Sequence, residues 1–333
     1  MRVADSNKHR EAASGGPVAV VGSNCPLGRH LVEGLLAAGR TVHAFCRVGW
    51  SVPWQWTTHR AFRSAEFDLV DATALARGLE SASQIVWLPQ LREECDRSGG
   101  PDSNVHALHL VCEQAPRHPR KIVLLSSGGS VYGNPVSLPV PETHPCRPIG
   151  PYGLSKKRLE DCLRQNIERT PGLSGVVLRS ANIYGAYWLE MGARGCIGAF
   201  SRSLLAGDPV TLIAGGKALR DFVHVSDVNC AIVAALACEQ RLAIWNVGSG
   251  VGVEILEVLC AISQILNRAP SAIIPINARP SDVDRIVLDI GRIKRESSWR
   301  PSVPLYEGLR SVLSAKRLSR ATEGQYRDLA AVR

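Results

Sequence analysis

Short apolar runs alternate with amphipathic stretches through the first half of the chain. The strand-like runs, each with few polar interruptions, are Val18–Val21, Val42–Phe45, Ile85–Leu88, Ile122–Leu125 and Val176–Leu178. Between them, apolar residues recur at helical spacing, for example over Leu27–Ala38 and Val105–Gln114. Strands that are apolar on both faces and separated by helices are typical of a parallel sheet covered on both sides. We therefore predict an α/β protein with a doubly wound parallel sheet.

The pattern changes near residue 181, where longer loops, two or three helices and short strands replace the regular alternation. This change predicts two regions: a sheet domain over residues 17–180 and a smaller C-terminal α/β lobe that covers mainly residues 181–314. Residues 1–16 and 315–333 are polar. We expect them to form a loose N-terminal extension and an exposed C-terminal helix or tail.

Composition and charge narrow the classes of function. Lysine and arginine exceed aspartate and glutamate by nine (39 against 30), but the excess is spread along the chain, which argues against a nucleic-acid-binding surface. The apolar runs are far shorter than the about 20 residues that span a membrane. The first sixteen residues contain no apolar segment of a secretory signal, so we expect a cytoplasmic protein without a membrane partner.

The ten cysteines show neither metal-binding nor redox spacing. The nearest pair, Cys230 and Cys238, lie eight residues apart, so the chain contains no Cys-x-x-Cys motif and no Cys/His zinc spacing. We expect reduced, mostly buried thiols and no metal site.

A glycine-rich loop connects the first predicted strand to the first predicted helix. It consists of Gly22, Ser23, Asn24, Cys25, Pro26, Leu27 and Gly28. Glycines allow a tight turn and close packing of helix on strand, and the helix N-terminus then offers free N–H groups to a pyrophosphate. Pro26 suits the first helical turn, where its missing N–H costs nothing. Although a plain strand–helix turn would look similar, the position at the first β–α junction favours a dinucleotide site.

Two positions depart from a standard dinucleotide site. Cys25 stands where a glycine would let the backbone approach the phosphates, and the second strand ends with Cys46 and Arg47 where an acidic residue would bind the ribose hydroxyls. An arginine at this point can pair with a 2′-phosphate, so NADP is an alternative to NAD. The other interpretation of Arg47 is a solvated strand end.

Tyr152 and Lys156 form the candidate catalytic pair. Their i, i+4 spacing places them on one helix face, where the lysine ammonium is expected to lower the pKa of the tyrosine. Such a tyrosine can exchange a proton with a sugar hydroxyl while a nicotinamide exchanges the hydride. The run Ile122–Leu125 leads into the serine- and glycine-rich segment Ser126–Gly133, which can supply a hydroxyl that orients the reacting oxygen.

These motifs resemble those of the extended short-chain dehydrogenase/reductase family, in its NAD-dependent sugar epimerase/dehydratase branch. The resemblance extends from about Pro17 to Ser314. It rests on ordered motifs at Gly22–Gly28, Phe67–Leu69, Ser126–Gly133, Tyr152–Lys156, Arg179–Gly185, Arg220–Asp227, Asn246–Gly250, Arg279–Asp282 and Asp289–Lys294. It implies a Rossmann-like sheet for residues 17–180 that binds the dinucleotide, a C-terminal lobe that binds mainly the substrate, and a homodimer formed through Val105–Gln114 and Leu154–Ile167.

The resemblance also implies roles for individual residues. Tyr152 matches the catalytic acid–base, and Lys156 matches its partner, which also holds the nicotinamide ribose. The matched cofactor-binding positions, beyond the glycine loop and the end of the second strand, are Asp68 and Leu69 at the adenine and Asn104, which steadies the sheet near the cofactor. Leu88 is a further cofactor-binding candidate, but the loop Leu88–Gln90 replaces the small residues that the family packs near the nicotinamide. The positions matched to the nucleotide diphosphate and its ribose are Asn182, Arg220, Arg279 and Asp282.

Gly128 departs from the family pattern, which has a serine or threonine there to bond the sugar hydroxyl. Ser127 or Ser130 must substitute, or the step depends on Tyr152 alone. Dehydratases of this branch place an Asp-Glu pair in this segment and decarboxylases a glutamate, but this chain has Gly129 and Ser130. The first hypothesis is therefore a UDP-hexose 4-epimerase that uses NAD. The alternatives are an NADP-dependent 4-keto-sugar reductase and a non-catalytic dinucleotide-binding regulatory protein.

Overall fold

The computed structural model describes residues 16–89, 102–114, 119–187, 195–279 and 282–314. Its largest element is a seven-stranded, all-parallel sheet. The strands are β1 (Val18–Val21), β2 (Val42–Arg47), β3 (Phe62–Phe67), β4 (Gln84–Trp87), β5 (Arg120–Ser127), β6 (Leu173–Ser180) and β10 (Leu242–Val247). The α/β fold class is thus confirmed.

The strands lie in the order β10-β6-β5-β4-β1-β2-β3, so the order reverses at β1, between its neighbours β2 and β4. In open sheets of this kind, ligands bind outside the carboxyl ends of the strands at this reversal. The glycine loop follows β1 directly and therefore lies at this point.

Helices cover both faces of the sheet, and further helices belong to the smaller lobe. They are α1 (Pro26–Ala37), α2 (Trp54–Thr57), α3 (Ala72–Gly78), α4 (Ser103–Glu113), the single turn α5 (Gly128–Val131), α6 (Gly150–Arg169), α7 (Cys196–Ala206), α8 (Val225–Ala237), α9 (Ile255–Leu266), α10 (Gly291–Glu296) and α11 (Leu305–Leu313). Helices α1 and α8 pack on one face, through residues such as Leu31 and Ile232. Helices α3, α4 and α6 pack on the other, through residues such as Leu75, Leu108 and Leu163. Alternate residues of each central strand enter the two cores, which explains the continuous apolar runs.

The remaining strands belong to the smaller lobe. They are β7 (Asn182–Tyr184), β8 (Val210–Ile213), β9 (Leu219–His224), β11 (Gly252–Glu254), β12 (Ile273–Ile276) and β13 (Arg285–Ile286). Strand β9 pairs with β7, β11 and β13, whereas β8 pairs with β12. A third apolar core joins α7, α9 and α11 in this lobe.

Two strands of the large sheet are absent from the sequence prediction. Strand β3 buries only Phe62 and Phe67, because it lies at the edge of the sheet. Strand β10 forms the opposite edge and comes, with α8, from within the range assigned mainly to the smaller lobe.

The five predicted strands and the first two predicted helices are confirmed. Most of the N-terminal extension (residues 1–15) and the whole C-terminal tail (residues 315–333) lie outside the described residues. None of the described helices is long and apolar enough to cross a membrane.

Candidate functional site

The glycine loop holds the N-terminus of α1 close to the end of β1. Gly22 adopts a left-handed conformation (φ +82°). A Cβ atom on Gly28 would lie 2.6 Å from the Ser23 Cα and 2.7 Å from the Gly22 carbonyl oxygen, so only glycine fits there. The first turn of α1 carries no acidic residue and begins with Pro26, as predicted. The positive end of the helix dipole is therefore free to favour an anion.

Cys25 is the N-cap of α1. Its Sγ accepts a hydrogen bond from the backbone N–H of Gly28 at 3.3 Å. Burial raises the pKa of this thiol, although the hydrogen bonds and the charge of Lys156 lower it in part. Cys25, which departs from the glycine pattern, thus caps the helix, and the loop lies close to Lys156.

The end of β2 has no carboxylate of its own. Cys46 is buried, and its Sγ lies 3.1 Å from the Ser23 Oγ. Arg47 is exposed at the strand end, where its backbone N–H donates to the Asn24 Oδ1 at 3.3 Å. The neighbouring strand supplies Glu66, whose Oε1 accepts from a backbone N–H of the following turn, that of Gly49.

A second arginine near the loop is missing from the sequence prediction. The Arg29 guanidinium, on the first turns of α1, lies 5.1 Å from the ring centroid of Trp50 and 5.4 Å from that of Tyr187. These cation–π contacts hold the charge beside the turn that follows β2. No local pattern links the three residues, because they come from three separate segments.

The other predicted cofactor residues lie along the same edge of the sheet. Asn104 is fully buried at the start of α4, where it donates to the Pro89 carbonyl oxygen at 3.1 Å and accepts from the Trp87 Nε1 at 2.9 Å. Leu88 is buried directly after β4. Asp68 is exposed after β3, with the half-buried Leu69 beside it.

Tyr152 and Lys156 lie one turn apart at the start of α6. The Lys156 Nζ lies 5.9 Å from the ring centroid of Tyr152 and donates to the Leu125 carbonyl oxygen at 3.0 Å. Burial lowers the pKa of Lys156 to about 8, although the nearby Cys25 and Glu160 raise it in part. The ammonium is therefore partly deprotonated at mildly alkaline pH.

The pKa of Tyr152 is raised to about 12, mainly because burial disfavours the phenolate, while a hydrogen bond with Ser127 lowers it in part. This direction is opposite to the prediction that Lys156 brings the pKa toward neutrality. The i, i+4 spacing puts both residues on one face, but burial raises the pKa of the phenol, and the neighbour that lowers it in part is Ser127.

Ser127 is the serine that contacts Tyr152. It ends β5, and its Oγ lies 3.3 Å from the Ser130 Oγ, so the two serines and the tyrosine form one hydrogen-bonded row. A Cβ atom on Gly128 would lie 2.8 Å from both methyl carbons of Leu288, a residue of the smaller lobe. The space that a serine or threonine would need is therefore filled.

We expect Gly128→Ser to destabilise the fold by about 1–3 kcal/mol, because the new side chain overpacks the site against Leu288. Gly129→Ser is the matched control, since a Cβ atom there would only touch Ile286 at 3.9 Å. Urea unfolding of the two variants measures the difference. Equal losses of stability would show that Leu288 moves aside at no cost.

The predicted substrate residues gather around β9. The Arg220 guanidinium donates to the carbonyl oxygens of Leu219 (3.0 Å), Asp284 (2.9 Å) and Val283. Burial lowers its pKa, while nearby Cys196, Asp284 and Asp282 raise it in part. Because Cys196 opens α7, Arg220 adjoins a helix N-terminus with no side-chain cap, an arrangement suited to an anion.

Asn182, Arg279 and Asp282 are less directly joined to Arg220. The Asn182 Nδ2 donates to the Asp221 carbonyl oxygen on β9 at 2.9 Å. The Arg279 N–H donates to the Asp282 Oδ2 at 2.8 Å, and Arg279 is exposed. The charge of Asp282 lies close enough to Arg220 to raise its pKa in part.

The segment 282–288 connects the predicted substrate residues around β9 with the serine- and glycine-rich segment near Tyr152. The Asp284 N–H donates to the Asn134 Oδ1 at 2.8 Å, just after the serine- and glycine-rich segment. Farther along, Ile286 and Leu288 lie against Gly129 and Gly128. The segment that contacts Arg220 thus also contacts the serine- and glycine-rich segment that leads from β5.

This geometry defines a class of protein: a dinucleotide-binding α/β protein of the Rossmann type, whose glycine loop adjoins a Tyr–Lys pair. Residues 18–248 match the sequence model of the NAD dependent epimerase/dehydratase family, and the chain belongs to this family. The family that the sequence motifs indicate is thus confirmed.

Several known proteins resemble the chain in sequence or in structure. The UDP-glucose 4-epimerase of Mycolicibacterium smegmatis is 35% identical over 190 residues, which cover 57% of this chain and 60% of that relative, less than two thirds of its length. A structure of UDP-glucose 4-epimerase from Thermotoga maritima with UDP-glucose has a TM-score of 0.80 at 25% identity, over 91% of this chain and 99% of that one. MoeE5 in complex with UDP-glucuronic acid and NAD has a TM-score of 0.78 at 27% identity, over 92% and 100%.

Proposed function

We propose that this protein is a nucleotide-sugar 4-epimerase that oxidises a UDP-hexose transiently at C4 with bound NAD. The observation that carries the proposal is the row of Tyr152, Ser127 and Ser130, which lies next to Lys156 and the glycine loop. The similarity to proteins that are themselves named UDP-glucose 4-epimerase supports this choice of reaction.

The residues of the site fit a dinucleotide. The close approach at Gly28, the left-handed Gly22 and the acid-free start of α1 leave room and N–H groups for a pyrophosphate. Lys156 and the Asn104 region would lie on the nicotinamide side. When bound, NAD would supply the acceptor for the hydride at C4.

Tyr152 and its neighbours would handle the proton. In the oxidising half-reaction the Tyr152 phenolate would accept the proton of the C4 hydroxyl, and in the reducing half-reaction the phenol would return it. Burial raises the pKa of Tyr152 to about 12 in the free protein, and the hydrogen bond with Ser127 lowers it in part, so the bound state must favour the phenolate. Lys156 favours the phenolate as the proton moves, as long as it is an ammonium. Residues 128–131 contain no carboxylate, so this segment cannot supply the acid–base pair for elimination of water.

This role of Lys156 makes activity depend on pH. Its protonated form is the active one, so we expect kcat/KM to fall as the pH rises through about 8, the pKa of Lys156 in the free protein. In Lys156→Arg the charge persists at alkaline pH, and the alkaline limb should disappear even if the rate is lower. A wild-type profile that stays flat to pH 10 would contradict this assignment.

The proposal also covers the ligand that each lobe binds and the oligomeric state. We propose that residues 17–180 bind mainly the dinucleotide and that residues 181–314 bind mainly the nucleotide-sugar, through Asn182, Arg220, Arg279 and Asp282. A homodimer through α4 and α6 is also proposed, because these helices pack side by side and Leu154 is exposed on α6. Light scattering of the purified protein measures its mass in solution.

The direct test is an anomeric-proton NMR assay with purified protein and UDP-galactose, UDP-glucose and their N-acetyl forms. We expect each active substrate to approach a mixture of its two C4 epimers without net consumption of cofactor. An absence of conversion, with NAD added, would refute the proposal. Tyr152→Phe serves as the chemical control.

The two residues at the end of β2, Cys46 and Arg47, favour a second candidate function. The absence of a carboxylate on Cys46 and Arg47 and the exposed Arg47 guanidinium suit NADP, and an NADP-dependent 4-keto-sugar reductase is the alternative. Steady oxidation of NADPH by a 4-keto-sugar would support it. If neither assay shows turnover, a dinucleotide-binding regulatory protein is the remaining hypothesis.

We expect Arg47→Ala to weaken NADP binding about tenfold or more and to change NAD binding less than about twofold. A charge-assisted hydrogen bond to a phosphate contributes about 1.5–3 kcal/mol, and NAD lacks the 2′-phosphate. Isothermal titration with both dinucleotides measures the two affinities. Arg63→Ala, at an exposed position on β3, is the control. If Arg47→Ala leaves NADP binding unchanged, Arg47 is a solvated strand end.

A further inference from the structure

A buried carboxylate lies one helical turn beyond Lys156. Glu160 follows Lys156 at i+4, and it is only 5% exposed. Its Oε1 accepts from the Ser126 Oγ at 2.5 Å, and its Oε2 accepts from the Arg179 guanidinium at 2.7 Å. Both oxygens are therefore engaged: Oε1 accepts from Ser126 at the end of β5 and from the Arg179 Nε at 3.2 Å, and Oε2 accepts from Arg179, on β6.

Arg179, the partner of this carboxylate, makes further hydrogen bonds of its own. The Arg179 guanidinium also donates to the Tyr132 Oη at 3.0 Å, and the Tyr132 hydroxyl donates to the Asn246 Oδ1 at 2.8 Å. The Asn246 Nδ2 then donates to the carbonyl oxygens of Val140 and Asp289. One buried network thus runs from α6 across β5, β6 and β10 to the segment that leads into α10.

Ser126, which donates to Glu160, lies between the two residues of β5 that contact Lys156 and Tyr152. Leu125, just before Ser126, supplies the carbonyl oxygen to which the Lys156 Nζ donates. Ser127, just after it, bonds Tyr152. A shift of the Ser126 backbone would therefore move both contacts together.

A buried ion pair is weak evidence for stability, because the cost of removing two charges from water can equal their attraction. Apolar residues of similar size often stabilise a protein as well as a buried ion pair does, so stability does not explain why Glu160 and Arg179 are here. The hydrogen bond from Ser126 to Glu160 suggests instead that the pair holds the end of β5 in place.

We propose that Glu160 is a positioning residue for the acid–base pair. Held by Arg179, it fixes the end of β5 against α6, so that Lys156 and Tyr152 keep their places beside Ser127. Of the two measurements that test this role, the activity assay rests on the proposed function, whereas the titration of Lys156 does not.

Glu160 also acts on Lys156 through its charge. The ionisable groups that face Lys156 are Cys25 from the start of α1 and Tyr152 and Glu160 from its own helix. Loss of the Glu160 charge leaves Arg179 unpaired nearby. Both changes disfavour the Lys156 ammonium, so its titration must move to lower pH.

The experiment is an NMR titration of protein labelled with ¹³C at lysine Cε. The chain has only seven lysines, and Lys156→Arg identifies the signal of Lys156. We expect Glu160→Gln to shift this titration to lower pH and Glu160→Asp, which keeps the charge, to restore it toward the wild type. Asp161→Asn is the matched control, because Asp161 is the next residue but pairs with Lys157 and Arg164 at the surface.

In the epimerase assay, Glu160→Gln should lower kcat about ten- to a hundredfold with KM changed less than about threefold, since misplaced acid–base groups slow the chemical step. An unchanged Lys156 titration in a folded Glu160→Gln variant would overturn the proposal. If that variant does not fold, Arg179→Lys takes its place, and full activity of Arg179→Lys would equally overturn it. A wild type without epimerase activity refutes the proposed function instead, and the titration still decides the role of Glu160.

Discussion

Tyr152→Phe is expected to lower the rate of C4 epimerisation by about 10²–10⁴-fold, the range that a positioned acid–base group contributes. The substitution removes only the hydroxyl that bonds Ser127, and the ring keeps its place beside Lys156. Binding of NAD and of the nucleotide-sugar should change less than the rate, because the hydroxyl acts mainly in the chemical step. The loss should therefore appear in kcat rather than in KM.

The measurement compares initial rates of epimerisation for wild type and variant, with NAD binding followed separately by fluorescence or calorimetry. Tyr306→Phe is the matched control, since Tyr306 is exposed on α11, in the smaller lobe. A Tyr152→Phe variant that retains more than about a tenth of the wild-type rate would assign the proton transfer to Ser127 or Ser130 instead.

Arg179→Met is expected to destabilise the protein by about 3–5 kcal/mol, because it leaves Glu160 charged and unpaired in the interior. The bond to the Tyr132 hydroxyl is lost as well. Arg164→Met is the control, because Arg164 is about half exposed and its ion pairs with Asp161 and Glu168 lie at the surface, where such pairs contribute about 0–1 kcal/mol.

Urea unfolding followed by tryptophan fluorescence measures both variants. A loss below about 1 kcal/mol at pH 8 would show that the pair is dispensable.

Much of the fold follows from the chain alone because its central strands are buried on both faces. Such strands are continuous apolar runs, as in Val18–Val21 and Ile122–Leu125, and they can be recognised without knowing their neighbours. Strand β3 escapes this pattern because an edge strand buries little. Strand β10 is not predicted because no local feature tells which of the three described sheets a distant strand will join.

The sequence by itself also determined the features of the site that depend on local spacing. The glycine loop before α1, and Tyr152 and Lys156 on one face of α6, follow from the geometry of a turn and a helix. The tertiary structure alone decided that burial, rather than Lys156, governs the pKa of Tyr152. It likewise decided that Leu288 fills the space at Gly128 and that Arg179 meets Glu160. These relations join residues that are distant along the chain, and their energies depend on burial, which exists only once the sheet, the helices and the smaller lobe have packed together.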